Sequence, residues 1–377
     1  MADSPPSTGR DLKSWLAALF EKNGGAISFE RFMAEALYHP DFGYYTHHIR
    51  TVGGSRGDFA TSATLSELLG EAIAEWIERE TAALALKKPV HLVEIGGGEG
   101  SLMKAVLSAL DARTGFWRRN RFRFHLVEIS PRLRERQRET LRPWRRRIRW
   151  HDTIEEALAE TAGEALIYSN ELVDAFPAIA LRHEGSGKWS ELFVEFHPER
   201  GLRETFRPLT ESRPDLDRDH FSVFAKTDWP VGQRVELHAS FRDWQRAWMA
   251  GLKRGASLVI DYGANEPAEI YDRRLEGTLR AFFRHQRLTG AGIYRMFGKQ
   301  DLTADVCFQD LARWGAAAGW EATLDQTQSE FLCKFAGPAC AAAAETDRSA
   351  AFLLEPDGAG EAFRVLGLRR RLAGSGE

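Results

Sequence analysis

The run Val93-Glu94-Ile95-Gly96-Gly97-Gly98-Glu99-Gly100 sets glycines at alternate positions, Gly96, Gly98 and Gly100, directly after an apolar segment. Glycines let the backbone pass close to a ligand and accept the positive φ of a tight turn. The dinucleotide fingerprint G-x-G-x-x-G/A fails here, because its last position falls on Ser101. What fits is G-x-G-x-G with Glu94 two residues ahead. A carboxylate there can face a cationic group such as an amino-acid ammonium; a pyrophosphate has no use for it. About thirty residues on, Glu128 ends the run His125-Leu126-Val127-Glu128-Ile129. An acid at this point of a βαβ unit can accept both hydroxyls of a ribose. Ile129 could then pack on an adenine ring, and Asp152, after a third run, could meet the exocyclic amine. Together these residues describe a nucleoside joined to an amino acid without phosphates, which is S-adenosyl-L-methionine. The alternative for the glycines alone is a structural turn.

A second group follows the next apolar run. In Ser169-Asn170-Glu171-Leu172-Val173-Asp174-Ala175-Phe176-Pro177, two carboxylates stand three residues apart, on one side of a helical turn. Glu171 and Asp174 are the candidate catalytic acids, with Asn170 beside them able to serve both cofactor and catalysis. Asp261-Tyr262-Gly263 closes a later strand on the same edge, which adds Tyr262. Arg280 and His285 lie in the loop beyond. His285 is the best-placed histidine in sequence for proton transfer; a packed structural histidine is its alternative. The acids' bland reading is a capped helix start with solvated carboxylates.

Metal chemistry finds little support. His47 and His48 are adjacent and point in different directions on most backbones. Cys307, Cys333 and Cys340 are an odd set with no C-x-x-C, which argues against structural zinc and for a reducing, cytoplasmic setting. No metal is expected.

These residues need a scaffold that brings strand ends to one edge. Val90–Ile95, Phe124–Ile129, Ile148–Trp150, Leu166–Tyr168 and Ser257–Ile260 are apolar runs that alternate with helical patterns. That rhythm predicts an α/β fold with a parallel sheet and helices on both faces. Before it, Leu12–Lys22 and a Ser28-capped segment are predicted helices, as is a longer one from about Leu65. After it, Ala178–His183 and Leu192–His197 flank a Gly-Ser-Gly turn and read as a hairpin. Trp320–Leu324 and Phe331–Phe335 are late strand candidates. The expected organisation is an N-terminal helical or lid segment (1–88), a cofactor-binding half (89–177) and an insertion between the fourth and fifth core strands (178–241). The second core half (242–335) and a C-terminal extension (336–377), helical or partly disordered, complete it.

Composition sets outer limits. The chain has 377 residues, is 43% hydrophobic and 28% charged, and has a formal charge of −3. Such a balance offers no overall pull toward nucleic acid or an anionic membrane, and no run is long enough to span a bilayer. A local exception is the stretch from Trp117 to Arg149, with thirteen Arg and three Glu. It reads as a solvated face with ion-pair partners elsewhere, or as a patch for phosphate or an acidic partner.

Several motifs in fixed order identify the chain as similar to a known family. They are Phe32-Met33, Leu37-Tyr38 and Gly43-Tyr44-Tyr45; Gly57-Asp58-Phe59 with Thr61; Glu94 to Gly100; Val127-Glu128; Asn170-Glu171 with Asp174, Ala175 and Pro177; Ile260 to Gly263; Gly277 to Arg280 with Arg284-His285; and Asp301 to Val306. Over about Ile27 to Phe335 the chain resembles the MidA-like S-adenosyl-L-methionine-dependent methyltransferases, a family that includes an arginine-methylating assembly factor. The resemblance implies a class I methyltransferase fold with an added N-terminal helical part and an insertion beside the site. It also implies S-adenosyl-L-methionine as cofactor, a protein arginine as acceptor, and acceptor-side roles for Gly57, Asp58, Thr61 and Arg280. Ala63 and Thr64 stand where the family tends to have proline and a carboxylate, and Cys307 where it usually has Asp. Those departures open a different acceptor, a peptide or small metabolite. A non-catalytic assembly scaffold is the remaining alternative, and a homodimer is left open.

Overall fold

Strands buried on both faces of a sheet carry near-continuous apolar sequence, and four such runs build the centre of this protein. They are β2 (Val90–Ile95), β3 (Phe122–Val127), β5 (Glu164–Asn170) and β10 (Arg254–Ala264). The computed structural model describes residues 11–49, 67–114, 121–197, 199–226, 228–284, 286–355 and 358–371. With β4 (Ile148–His151), β15 (Glu321–Thr327) and β16 (Phe363–Arg370), these strands pair in the order β15-β16-β10-β5-β2-β3-β4. The pairs from β10 to β4 are all parallel, while β16 runs antiparallel to both β10 and β15. The chain winds outward from β2 through β3 to β4, then returns to β5 on the other side. Strand order therefore reverses between β2 and β5, where the carboxyl ends leave a crevice for a ligand.

Helices cover both faces. Leu68–Ala83, Ser101–Thr114 and Gln328–Ala336 share one core with Leu92, Phe124 and Tyr168. Ile154–Ala159, Ala239–Gly251 and Phe308–Ala317 share the other with Val93, Val127 and Ile167. The alternation of side chains along each strand sorts them between these two cores.

The insertion is a second sheet. β6 (Ile179–Gly185), β7 (Lys188–His197) and β9 (Arg234–Leu237) pair antiparallel, with β8 (Gly201–Pro208) on β7. Ser186 and Gly187 turn the hairpin with positive φ at both positions. The N-terminal part adds β1 (Ala26–Ser28) to β7. Its helix Phe29–Tyr38, capped by the Ser28 hydroxyl, buries Phe29, Phe32, Met33, Ala36 and Leu37 in a third core shared with this sheet. After β10, β11 (Arg280–Phe283) pairs antiparallel with β12 (Gln286–Leu288) and β13 (Asp301–Thr303), and β14 (Val306–Cys307) pairs with β10.

Two expectations change. Phe331–Phe335, expected as a strand, lies in the helix Gln328–Ala336. Thr327 and Glu330 form a capping box, and Phe331, Leu332 and Phe335 fall on one helical face. The C-terminal residues supply more than an extension: β16 is an interior strand of the main sheet. Gly367 lets it lie close against Leu324, where a Cβ would come within 3.0 Å of that side chain. Its arginines are satisfied at the end, since Arg369 pairs with the buried Glu80 at 2.6 Å. Among the described residues no helix is long and apolar enough to cross a membrane.

Candidate active site

The crevice between β2 and β5 opens into a cavity of about 1000 Å³, its open mouth included. Nine of the sequence candidates line it: Glu94, Gly96, Gly98, Glu128, Ile129, Asn170, Glu171, Asp174 and Tyr262. The glycine turn follows β2 directly, with φ of 68° at Gly96, 51° at Gly98 and 85° at Gly100. Gly96 donates its N–H to the Val127 carbonyl at 3.0 Å, which ties the turn to β3. Gly100 sits away from the cavity, where its missing side chain makes room for Leu141.

Gln137 joins the two ends of the cofactor side. Its amide donates to the Gly98 carbonyl at 2.9 Å and to Glu128 Oε2 at 3.1 Å, while Trp150 holds its oxygen at 3.1 Å. The Ser130 N–H donates to Glu128 Oε1 at 2.9 Å. Burial still dominates and pushes the Glu128 carboxyl up to about 7. Glu94 is more extreme. It is 2% exposed, has only the Tyr168 hydroxyl at 3.4 Å among the contacts described, and is pushed up to about 8 by burial. Ile129, in contrast, is 48% exposed at the cavity wall, an apolar surface free to take a flat ring.

Residues 171–174 were expected as a helical turn and are instead an irregular loop. The buried Asp261 carboxylate shapes it. Its Oδ2 accepts the N–H groups of Leu172 at 3.1 Å, Val173 at 2.7 Å and Asp174 at 3.4 Å. Those donors are then lost to helix formation, and Glu171 takes a positive φ of 52°. A non-glycine residue held there is strained and is sustained by its surroundings. Glu171 Oε1 accepts from Asn170 Nδ2 at 2.9 Å, and Oε2 from the Tyr262 hydroxyl at 3.2 Å.

Asp174 is 4% exposed, and burial together with Asp261, Asp301 and Glu171 holds its carboxyl well above the usual range. Its Oδ1 and the Asn170 Oδ1 are buried without a hydrogen-bond partner among the described residues. Asp301 belongs to the same wall, where its Oδ1 accepts from Tyr45 at 2.9 Å. Tyr38 stacks on Tyr45 with ring centroids 5.7 Å apart. In the sequence, Tyr38, Tyr45 and Asp301 stand out only as family motif positions. The fold brings them into the cavity from 256 residues apart in the chain.

Other candidates fall elsewhere. Arg280 is buried behind Tyr262, its guanidinium 5.3 Å from that ring, and donates to Asp305 and to the Thr278 carbonyl. It supports the wall without lining the cavity. Asp152 is exposed and paired with Arg134, also outside the cavity. Cys307 heads the helix Phe308–Ala317 beside Ser222 and does not line the cavity. His285, Gly57, Asp58, Thr61, Ala63 and Thr64 lie outside the described residues.

The donor set fits S-adenosyl-L-methionine. A buried carboxylate awaits a cation at Glu94, a second carboxylate stands at the end of β3, an apolar seat follows it, and two orphaned oxygens lie beyond. With six strands parallel in direction and one reversed, the sheet completes the class I methyltransferase pattern.

Comparison with known proteins agrees. Residues 72–324 match the family described as "Putative S-adenosyl-L-methionine-dependent methyltransferase", and the chain belongs to that family. A crystal structure of a Burkholderia thailandensis protein bound to S-adenosyl-homocysteine superposes with a TM-score of 0.80 at 28% identity, covering 98% of this chain and 96% of that one. The protein arginine methyltransferase NDUFAF7 of Danio rerio is 29% identical over 77% of this chain and 68% of its own length. The Rattus norvegicus protein of the same name is 28% identical over 84% and 72%. The protein is an S-adenosyl-L-methionine-dependent methyltransferase.

Proposed function

We propose that the methyl acceptor is a cationic nitrogen on a protein side chain, with arginine the favoured residue. The observation that carries this reading is the acidic wall of Glu171, Asp174 and Asp301 set among Tyr38, Tyr45 and Tyr262. Three carboxylates crowded in a buried space repel one another, and an arriving guanidinium relieves that repulsion. A guanidinium presents five donors in a planar fork that carboxylates accept bidentately, and the flanking rings suit its faces. The relatives named above as protein arginine methyltransferases support the same class.

When bound, S-adenosyl-L-methionine supplies an electrophilic methyl group. The chain's own work is to position and to take a proton. Glu94 would hold the cofactor's ammonium and Glu128 its ribose hydroxyls. Glu171, fixed by Asn170 and Tyr262, orients the attacking nitrogen. Orientation of this kind contributes up to roughly 7–11 kcal/mol. The acceptor nitrogen gains a carbon and must lose a proton; Asp174, whose resting proton leaves to solvent as the arriving cation favours the carboxylate, is then the base that receives it.

The test is to incubate the protein with methyl-labelled cofactor and a cell extract, hydrolyse the labelled material to amino acids, and separate them. Label in methylarginine is expected. Label confined to another amino acid, or to a small metabolite, would overturn the proposal.

A further inference from the structure

Three histidines form a line across neighbouring strands, away from the cavity just described. His91 Nδ1 lies 2.9 Å from His125 Nε2, and His125 Nδ1 lies 3.0 Å from His151 Nε2. His91 and Glu94 are three positions apart on β2, so they point to opposite faces of the sheet. The histidine face is the one covered by the helix Ile154–Ala159, whose Ile154 and Ala157 pack with Val93 and Val127. Glu160 follows that helix, and its carboxylate reaches the same spot. Ligand atoms of His125, His151 and Glu160 all lie within 4.8 Å of one another. His125 is 1% exposed and His151 7%.

We propose that His125, His151 and Glu160 form a binding site for a divalent transition-metal ion of the zinc type. Zinc takes imidazole nitrogen and carboxylate oxygen at about 2.0–2.2 Å in a tetrahedral array. Two nitrogens bound in that array stand roughly 3.3 Å apart by that geometry. The observed 3.0 Å needs to open by only a few tenths of an ångström. The ion takes the lone pairs of His125 Nδ1 and His151 Nε2, in place of the hydrogen bond they share. Proton balance is simple. His125 keeps its proton on Nε2 and donates it to His91 Nδ1, while the proton that His151 Nε2 places in the shared hydrogen bond passes through solvent to its own Nδ1. No proton is released.

His91 is the positioning residue of this arrangement. It contacts the nitrogen of His125 that cannot reach the ion, and such outer partners fix the tautomer and orientation of a ligating ring. Burial pulls the three imidazoles below their usual range, with His125 at about 3, so the site offers neutral ligands at ordinary pH. The competing cation is Arg149, paired with Glu160 at 2.5 Å. Its side chain is 67% exposed and can swing into solvent when the carboxylate turns to the ion. One water completes four-coordination.

The experiment is calorimetric titration of the full chain with Zn²⁺, repeated with Co²⁺ to read the coordination geometry from its visible spectrum. One equivalent is expected to bind, with tetrahedral cobalt bands. Glu160→Gln changes an exposed side chain and should fold normally; it should weaken binding about tenfold or more. His151→Asn should abolish the site, and His91→Ala should weaken it by roughly 10- to 100-fold without removing the bands. No saturable binding in the parent chain, or unchanged affinity in both Glu160→Gln and His151→Asn, would show a hydrogen-bonded imidazole ladder only and overturn the proposal.

Discussion

Replacing Glu94 with Gln tests the proposed contact with the cofactor's ammonium apart from the rest of the site. Glu94 rests at about 8 because burial penalises its charge and the Tyr168 hydroxyl is a distant partner. Below that pH the resting carboxyl is protonated, so a cofactor that needs the carboxylate must first remove the proton. At about pH 6 that removal costs roughly 3 kcal/mol, since each pH unit below the carboxyl's own value adds about 1.4 kcal/mol. At about pH 8.5 the carboxylate is already formed, and its charged hydrogen bond is worth about 1.5–3 kcal/mol, or 10- to 150-fold in affinity. The ratio of wild-type to Glu94→Gln affinity for S-adenosyl-homocysteine should therefore climb to that level through this window and fall toward one at about pH 6. Taking the ratio cancels the cofactor's own amine titration, which both proteins share. Isothermal titration at several pH values measures it. A second readout has its own sign. The folded-state pKa is raised, so stability is lost as pH rises from about 4.5 through about 8. Glu94→Gln escapes this loss and should be the more stable apoprotein at about pH 9, by up to about 5 kcal/mol. A ratio that stays flat with pH would refute the assignment of Glu94 to the ammonium.

Other perturbations test the neighbouring parts. Asp261→Asn replaces the carboxyl that accepts four backbone N–H groups, those of Leu172, Val173 and Asp174 at Oδ2 and of Tyr262 at Oδ1; it should destabilise the fold by about 1.5–3 kcal/mol in chemical denaturation above about pH 7 and lower kcat. Unchanged stability would remove Asp261 as organiser of the 171–174 loop. Tyr45→Phe loses the hydrogen bond to Asp301. It should raise the acceptor KM about three- to tenfold and leave cofactor affinity alone, and a loss of cofactor affinity instead would place Tyr45 on the wrong side of the cavity. Ending the chain after residue 357 deletes β16, strands β10 and β15 of their shared partner, and removes Phe363, whose ring lies 4.1 Å from that of Tyr262. The shortened chain should give no cooperative thermal transition, and a stable, folded product would contradict the interior placement of β16.

The cofactor side was legible because it is local. Glu94 and the glycines sit within seven residues, and Glu128 follows one strand and one helix later, so spacing alone placed them on one edge. Asp152 had the right spacing too, but it turns outward to Arg134, a choice made by side-chain direction. The acceptor wall was harder. Tyr45 and Asp301 meet because the N-terminal helices share a core with Ala281, Ile293 and Leu302 as well as with the insertion, a contact no periodicity reveals. The loop at Glu171 misled for a related reason, since the carboxylate that captures its backbone lies 87–89 residues downstream. β16 escaped notice because Gly367 interrupts its apolar run and arginines close it. Of the Arg-rich segment, Arg121, Arg134, Arg147 and Arg149 do find acidic partners, at Glu78, Asp152, Asp111 and Glu160.

The central claim is that one cavity holds two separable functions, cofactor binding at Glu94 and Glu128 and methyl transfer at Glu171. Glu171→Gln tests it most directly when S-adenosyl-homocysteine affinity and transfer of labelled methyl are measured on the same preparation. Affinity is expected to stay within about threefold of wild type and turnover to fall by about 10²-fold or more, the loss that follows when an attacking atom is misplaced by about 1 Å. Turnover near the wild-type rate, with the cofactor bound as before, would contradict it.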